Sequence, residues 1–213
     1  MTLPMMLRDY AWKPASGPGI ERLQLQAFDH SWQVDSSLMG ELEGQDFSGS
    51  YWMRLDEHWT TLQLRLRLQL ETPAPEGKHQ HAALELQHDG RGHWLLDGQH
   101  QPDLDGCLNV DLAITPFTNS PPVLRYHWRQ GESHDFDMVF VTATLDPDSG
   151  DLAILTRRQR QRYSCLDPLG SSEDGGGRFR YQGLDSGFDA ALVFDAQGVV
   201  VDYPDTFVRI DPQ

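Results

Sequence analysis

Residues 61–71 read TLQLRLRLQLE, and this stretch decides the fold class. Leu62, Leu64, Leu66, Leu68 and Leu70 alternate with Gln63, Arg65, Arg67 and Gln69. On a helix these leucines would scatter round the axis, whereas on a strand they make one apolar and one wet face. A long antiparallel strand is therefore predicted here. Weaker versions of the pattern occur in IERLQLQAF, HAALELQH, DMVFVTAT, DLAILTRRQRQRY, GRFRYQGL, DAALVFD and GVVVDYP. Short turn signals separate them, at Asp89-Gly90, Asp97-Gly98, Asp148 to Gly150 and Ala196 to Gly198. The expectation is a mainly β chain of about twelve to fifteen strands of ordinary length. The looser stretches 15–19, 71–80 and 167–177 have loop composition. None has the character of a linker, so residues 1–213 are expected to form a single domain.

One segment breaks the alternation. LDGCLNVDLAITPFTNSPPVLRYHW, Leu104 to Trp128, begins as a strand and then meets Pro116, Pro121 and Pro122. Proline is tolerated in a first helical turn, and the residue before it is pushed out of the α region. The spacing predicts a turn over Pro116–Asn119 and a short helix from about Pro122 to Arg129. Val123, Leu124, Tyr126 and Trp128 give that helix an apolar surface nearly all round, which places it inside the curve of the sheet.

Composition narrows the function. The 17 Lys and Arg against 32 Asp and Glu give a formal charge of −15, a field that repels nucleic acid and anionic membranes. No run approaches the roughly 18 apolar residues of a membrane helix, and the first residues lack signal-peptide character. A cytoplasmic, soluble protein is expected. Cys107 and Cys165 are too few for a disulfide framework. His79, His81, His88, His93 and His100 cluster in sequence, but no CxxC or HExxH accompanies them, so neither a metal nor any other cofactor is expected. DPDSGD at Asp146 to Asp151 lacks the spaced ligands of a calcium loop and is assigned to a hairpin turn. The chain also lacks a GxSxG elbow, a P-loop and a dinucleotide glycine pattern, and no catalytic residue is assigned.

HWLLDG, LDGCLNVDLAITPFTNSPPVLRY and VDYPDTFVRI, in that order, resemble the bacterial family of putative glycolipid-binding proteins over nearly the whole length. The most specific part is the T-P-x-T-N core at Thr115, Pro116, Thr118 and Asn119, preceded by Asp111. The resemblance implies a spiral β-roll, a long many-stranded antiparallel sheet wrapped around a single short α-helix, and association as a homodimer. It also implies a non-enzymatic protein that takes an amphiphilic ligand, a glycolipid or acyl lipid, between sheet and helix. Two departures stand out: Asn109 occupies the place of the first acid of an Asp-x-Asp pattern, and one arginine of an expected pair is missing near Arg125.

Candidate site residues follow from these readings. Trp94, Phe117 and Tyr126 would flank an acyl chain, with Arg125 meeting the polar head. Arg125 equally suits a pairing with Asp111 or with an end carbonyl. Thr115, Thr118 and Asn119 fit either a ligand-contacting loop or plain turn formation. In RRQRQRY, three of Arg157, Arg158, Arg160 and Arg162 share one strand face, as an anion clamp or as a solvated face answering nearby acids. Two alternatives stay open: a hydrolase or lyase acting on a small hydrophobic or sugar substrate, and a dimeric scaffold with a filled core.

Overall fold

The computed structural model describes residues 5–71 and 80–212. The described strands are β1 (Met6–Pro14), β2 (Gly19–Phe28), β3 (Ser31–Leu42), β4 (Gln45–Asp56), β5 (Thr61–Leu70), β6 (His81–His88), β7 (Trp94–Leu96) and β8 (Gln99–His100), followed by β9 (Asn109–Leu112). After the only described α-helix, α1 (Ser120–Leu124), come β10 (Ser133–Leu145), β11 (Leu152–Asp167), β12 (Gly177–Gly183), β13 (Asp189–Phe194), β14 (Val200–Tyr203) and β15 (Phe207–Ile210). All fifteen lie in one sheet, which runs from β8 back to β1 and then from β15 back to β9. The two arms join where β1 pairs β15, with Trp12 opposite Arg209 and Pro14 opposite Phe207. Every pairing is antiparallel except that of β9 with β10.

Tight turns explain the sequential arms. Asp97 and Gly98 have φ of 48° and 81°, the double left-handed conformation of a two-residue hairpin. Asp146 Oδ1 accepts from the backbone N–H groups of Asp148 and Ser149, which makes DPDSGD the β10–β11 hairpin turn. One leucine of the opening stretch departs from the strict alternation. Thr61 faces Leu55 and Gln63 faces Arg54, so Leu62 is the extra residue of a β-bulge and lies only half-buried.

The sheet curls without closing into a barrel. Edge strand β9 tucks against β5, where Thr61 N–H donates to Leu108 O at 3.1 Å and Asn109 Nδ2 donates to Trp59 O at 2.5 Å. Elsewhere Glu43 Oε1 accepts from Thr144 Oγ1 and from Leu145 N–H. With a strand on either side, all four residues of β9 are buried, and its alternation does not sort into a core face and a wet face.

Residues 115–124 plug the roll. Thr115 Oγ1 accepts from Phe117 N–H, Thr118 Oγ1 bridges Leu112 N–H and Asp111 Oδ1, and Asn119 Nδ2 donates to Pro116 O. These bonds fix the 3₁₀ turn Phe117–Asn119, which leads directly into α1 with prolines in its first turn. The helix ends well short of the expected Arg129. Trp128 Nε1 donates to Val123 O at 2.7 Å, which satisfies a helix-end carbonyl and folds the following residues back. Phe117 enters a large core with Met53, Leu66, Trp94, Leu112 and Val141. Val123 joins a second core with Trp128, Phe136, Phe179 and Leu192. No described helix is long and apolar enough to cross a membrane.

Candidate functional site

Strand β11 supplies an inward face that is polar, which is unusual for a strand lining a core. Arg158, Arg160 and Arg162 point outward. There the Arg158 guanidinium reaches the Asp105 carbonyl, Arg160 pairs Asp185 at 3.1 Å and Arg162 pairs Asp135 at 2.6 Å. The three therefore form a solvated face, on which Arg160 and Arg162 have acidic partners. Arg157, Gln159, Gln161 and Tyr163 take the other side by the period of two. Gln161 Nε2 donates to Asp111 Oδ2 at 2.5 Å, and Tyr163 OH donates to Asn119 Oδ1 at 2.8 Å. Burial holds the Asp111 carboxyl above the ordinary aspartate range, against the opposing hydrogen bonds from Gln161 and Thr118.

This polar face floors a pocket of about 270 Å³. Asp111, Thr115, Asn119 and Gln159 line its base, and Phe140, Tyr181, Phe188 and Tyr203 its walls. Phe188 lies 5.9 Å from Tyr181 and 6.0 Å from Tyr203 between ring centres, yet it remains 44% exposed. The Arg157 guanidinium sits 4.6 Å from the centre of the Phe140 ring, its cross-strand partner.

A second cavity of about 350 Å³ adjoins it. Trp12, Ile20, Leu38, Met39, Phe47 and Ile114 give this furrow an apolar stretch beside the polar Ser16, Glu21 and Glu41, and Ala113 and Phe207 wall both cavities. Space here depends on Gly40, where an added Cβ would come within 3.2 Å of the Phe47 ring. Glu21 also lines the furrow and is fully buried on the inner face of β2, opposite Trp12. Its Oε1 accepts from Ser36 Oγ and Tyr51 OH, both at 2.8 Å, while its buried Oε2 has no protein partner. Desolvation pushes the Glu21 carboxyl up to about 7, opposed by hydrogen bonds from Thr115, Ser36 and Tyr51.

A larger groove of about 720 Å³ crosses the outer face of β1 to β5 past Asp9, Gln24, Trp52 and Arg65. It is open, and these side chains are exposed or half-exposed. The interior pair encloses buried polar groups beside apolar walls, the composition of small-molecule sites, and is the better-built candidate.

The sequence-derived residues divide between places. Asp111, Thr115 and Asn119 converge on the polar pocket, and Pro116 and Thr118 brace the turn beneath it. Trp94 is fully buried, donates from Nε1 to Cys107 O and packs on His88. Phe117 is likewise fully buried. Tyr126 lies elsewhere, 40% exposed and stacked on His134 at 4.2 Å. Arg125 donates to Thr60 Oγ1 at 3.0 Å and Asn109 Oδ1 at 3.3 Å, and so pairs neither with Asp111 nor with an end carbonyl. None of these four residues lines the pocket or the furrow. Of the histidines, His93 pairs Asp89 at 2.8 Å, His100 pairs Asp105 at 2.9 Å, and His79 lies outside the described residues. Among the described residues no three His, Cys, Asp or Glu side chains gather in a metal-binding group.

The architecture defines a class, the open antiparallel β-roll around a short turn-and-helix plug. Residues 9–209 match the family described as "Putative glycolipid-binding", and the chain belongs to that family. A crystal structure of a DUF1089 family protein from Pseudomonas aeruginosa is similar, at 29% identity and a TM-score of 0.67. The match covers 89% of this chain and 92% of that one. No curated protein matches the chain.

Proposed function

We propose that this chain is a non-enzymatic binding protein for a glycolipid-like amphiphile, with the polar head in the aromatic-walled pocket and the acyl tail in the furrow. The observation that carries this reading is the junction at Ala113 and Phe207, where a pocket with a polar floor and aromatic walls meets a furrow with a stretch of apolar side chains. A molecule with one sugar end and one hydrocarbon end matches both halves. Aromatic walls suit the apolar faces of a sugar ring, and the Gln159 amide suits its hydroxyls. Each methylene buried in the furrow contributes about 0.8 kcal/mol, close to fourfold in affinity.

The test is calorimetric titration with alkyl glucosides and maltosides of increasing tail length, kept below their micellar concentrations. Affinity should rise with chain length until the furrow is filled. Ala113 is exposed at the junction, so Ala113→Trp should obstruct it and weaken dodecyl glycoside binding at least about tenfold while the melting temperature holds. The proposal fails if no amphiphile binds below about 100 micromolar, roughly −5.5 kcal/mol, or if Ala113→Trp binds as tightly as the parent.

A further inference from the structure

We infer that the head pocket selects an acidic sugar, its carboxylate held at the mouth by Arg157; this rests on the amphiphile reading of the same pocket. Arg157 is the sole cation among the residues lining either cavity. Its three neighbours in the same strand spend their guanidinium groups on Asp105, Asp185 and Asp135. Arg157 is different, because it is exposed at the rim of the pocket it lines and, among the described residues, makes no ion pair; its contact is with the Phe140 ring. A stacked guanidinium keeps its N–H edge available for an anion.

The remaining polar groups strengthen the case. Both Asp111 oxygens are already taken, one by Thr118 Oγ1 and one by Gln161 Nε2, so that carboxylate offers little to a ligand hydroxyl. Gln159 is 3% exposed and lines the pocket, and its Oε1 receives only a long 3.5 Å contact from Gln161. Arg157 and Gln159 are two residues apart on one strand face, so their side chains rise about 7 Å from each other and offer N–H donors to one ligand. A pocket that supplies donors from a guanidinium and an amide calls for an acceptor-rich, negatively charged head. The chain carries a net charge of −15, so an anion needs a local cation to stay bound, and Arg157 is placed to be that cation. Phe188 and Tyr203, which line the same pocket, would cover one face of the sugar ring and leave its edge, with the carboxylate, toward Arg157.

The experiment compares dodecyl glucoside, dodecyl glucuronide and free glucuronate by calorimetry at one salt concentration, with parent, Arg157→Gln and Arg157→Lys proteins. The parent should bind the glucuronide about tenfold more tightly than the glucoside, the size of one charge-assisted hydrogen-bonded contact. Arg157→Gln should erase that preference by weakening the glucuronide about tenfold more than the glucoside, and Arg157→Lys should restore part of it. Free glucuronate should bind far more weakly than its dodecyl glycoside. Equal affinities for the two glycosides in the parent, or a preference that survives Arg157→Gln, overturn the inference while glucoside binding preserves the amphiphile reading. Free glucuronate binding as tightly as the dodecyl form overturns the lipid assignment, and failure of both glycosides to bind overturns the pocket and the inference together.

Discussion

Phe117→Ala should lower the unfolding free energy by about 3–5 kcal/mol, the range for truncating a fully buried phenylalanine. Phe117 is 0% exposed and belongs to a core that draws on both arms of the sheet, with Leu66 and Met53 from one and Val139 and Val141 from the other. The turn that presents it is held by side-chain bonds from Thr115, Thr118 and Asn119. Relaxation into the vacated volume is therefore restricted, which places the cost toward the upper end. Phe117→Leu keeps most of the volume and should cost clearly less. Urea denaturation measures both. A loss under about 1 kcal/mol for the alanine variant, the cost of an ordinary surface or lightly packed substitution, would contradict the packed plug.

The strands were legible because one physical rule, burial on one side, acted alone along most of them. Leu64, Leu66, Leu68 and Leu70 are buried, and Arg65, Arg67 and Gln69 are exposed, as their alternation requires. Turn chemistry was equally local at Asp97-Gly98 and in DPDSGD. Where tertiary partners intervene, the pattern misleads. The helix stops early because an indole six residues further along the chain than Pro122 takes the Val123 carbonyl, a contact no spacing rule announces. In IERLQLQAF the burial phase places Glu21 inside with Leu23 and Leu25, leaving Ile20 only half-buried. The acid is tolerated there because Ser36 from the adjacent β3 and Tyr51 from β4 beyond it donate to its carboxyl.

The candidate site was the least legible part. Asp111, Thr115 and Asn119 were identifiable from the motif, yet the strand opposite them reads RRQRQRY, polar on both faces. Such a pattern ordinarily means solvation, and only the curl of the sheet turns Gln159, Gln161 and Tyr163 inward, with Arg157 left exposed at the rim. A signal was available in retrospect: the outward arginines alternate with two glutamines and a tyrosine, an uncharged polar set suited to burial with hydrogen-bond partners. Trp94 and Phe117 suggested pocket walls through their size and their closeness to the motif, and the structure uses both to fill the core.

Glu21 should give this protein a stability profile that declines as pH rises through neutrality. Its carboxyl is raised from an ordinary 4.5 to about 7 in the folded chain, chiefly by desolvation. Below about pH 4.5 the group is protonated both folded and unfolded, so its favourable contribution is fully present. Between 4.5 and 7 the unfolded chain gives up a proton that the folded chain retains, and each pH unit removes close to 1.4 kcal/mol. Above 7 the loss is complete, at about 3 kcal/mol. Glu21→Gln keeps the shape and can still accept from Ser36 and Tyr51 while abolishing the titration. The difference in unfolding free energy, parent minus variant, should thus fall by about 3 kcal/mol from pH 4.5 to pH 8 in urea titrations. Carboxylates whose values are depressed, such as Asp135 and Asp189 beside Arg162 and Arg180, titrate in a more acidic window and cancel in that difference. Parallel profiles for the two proteins would mean that Glu21 is ionised at little cost, and the sealed, half-satisfied carboxyl beside the furrow would have to be discarded.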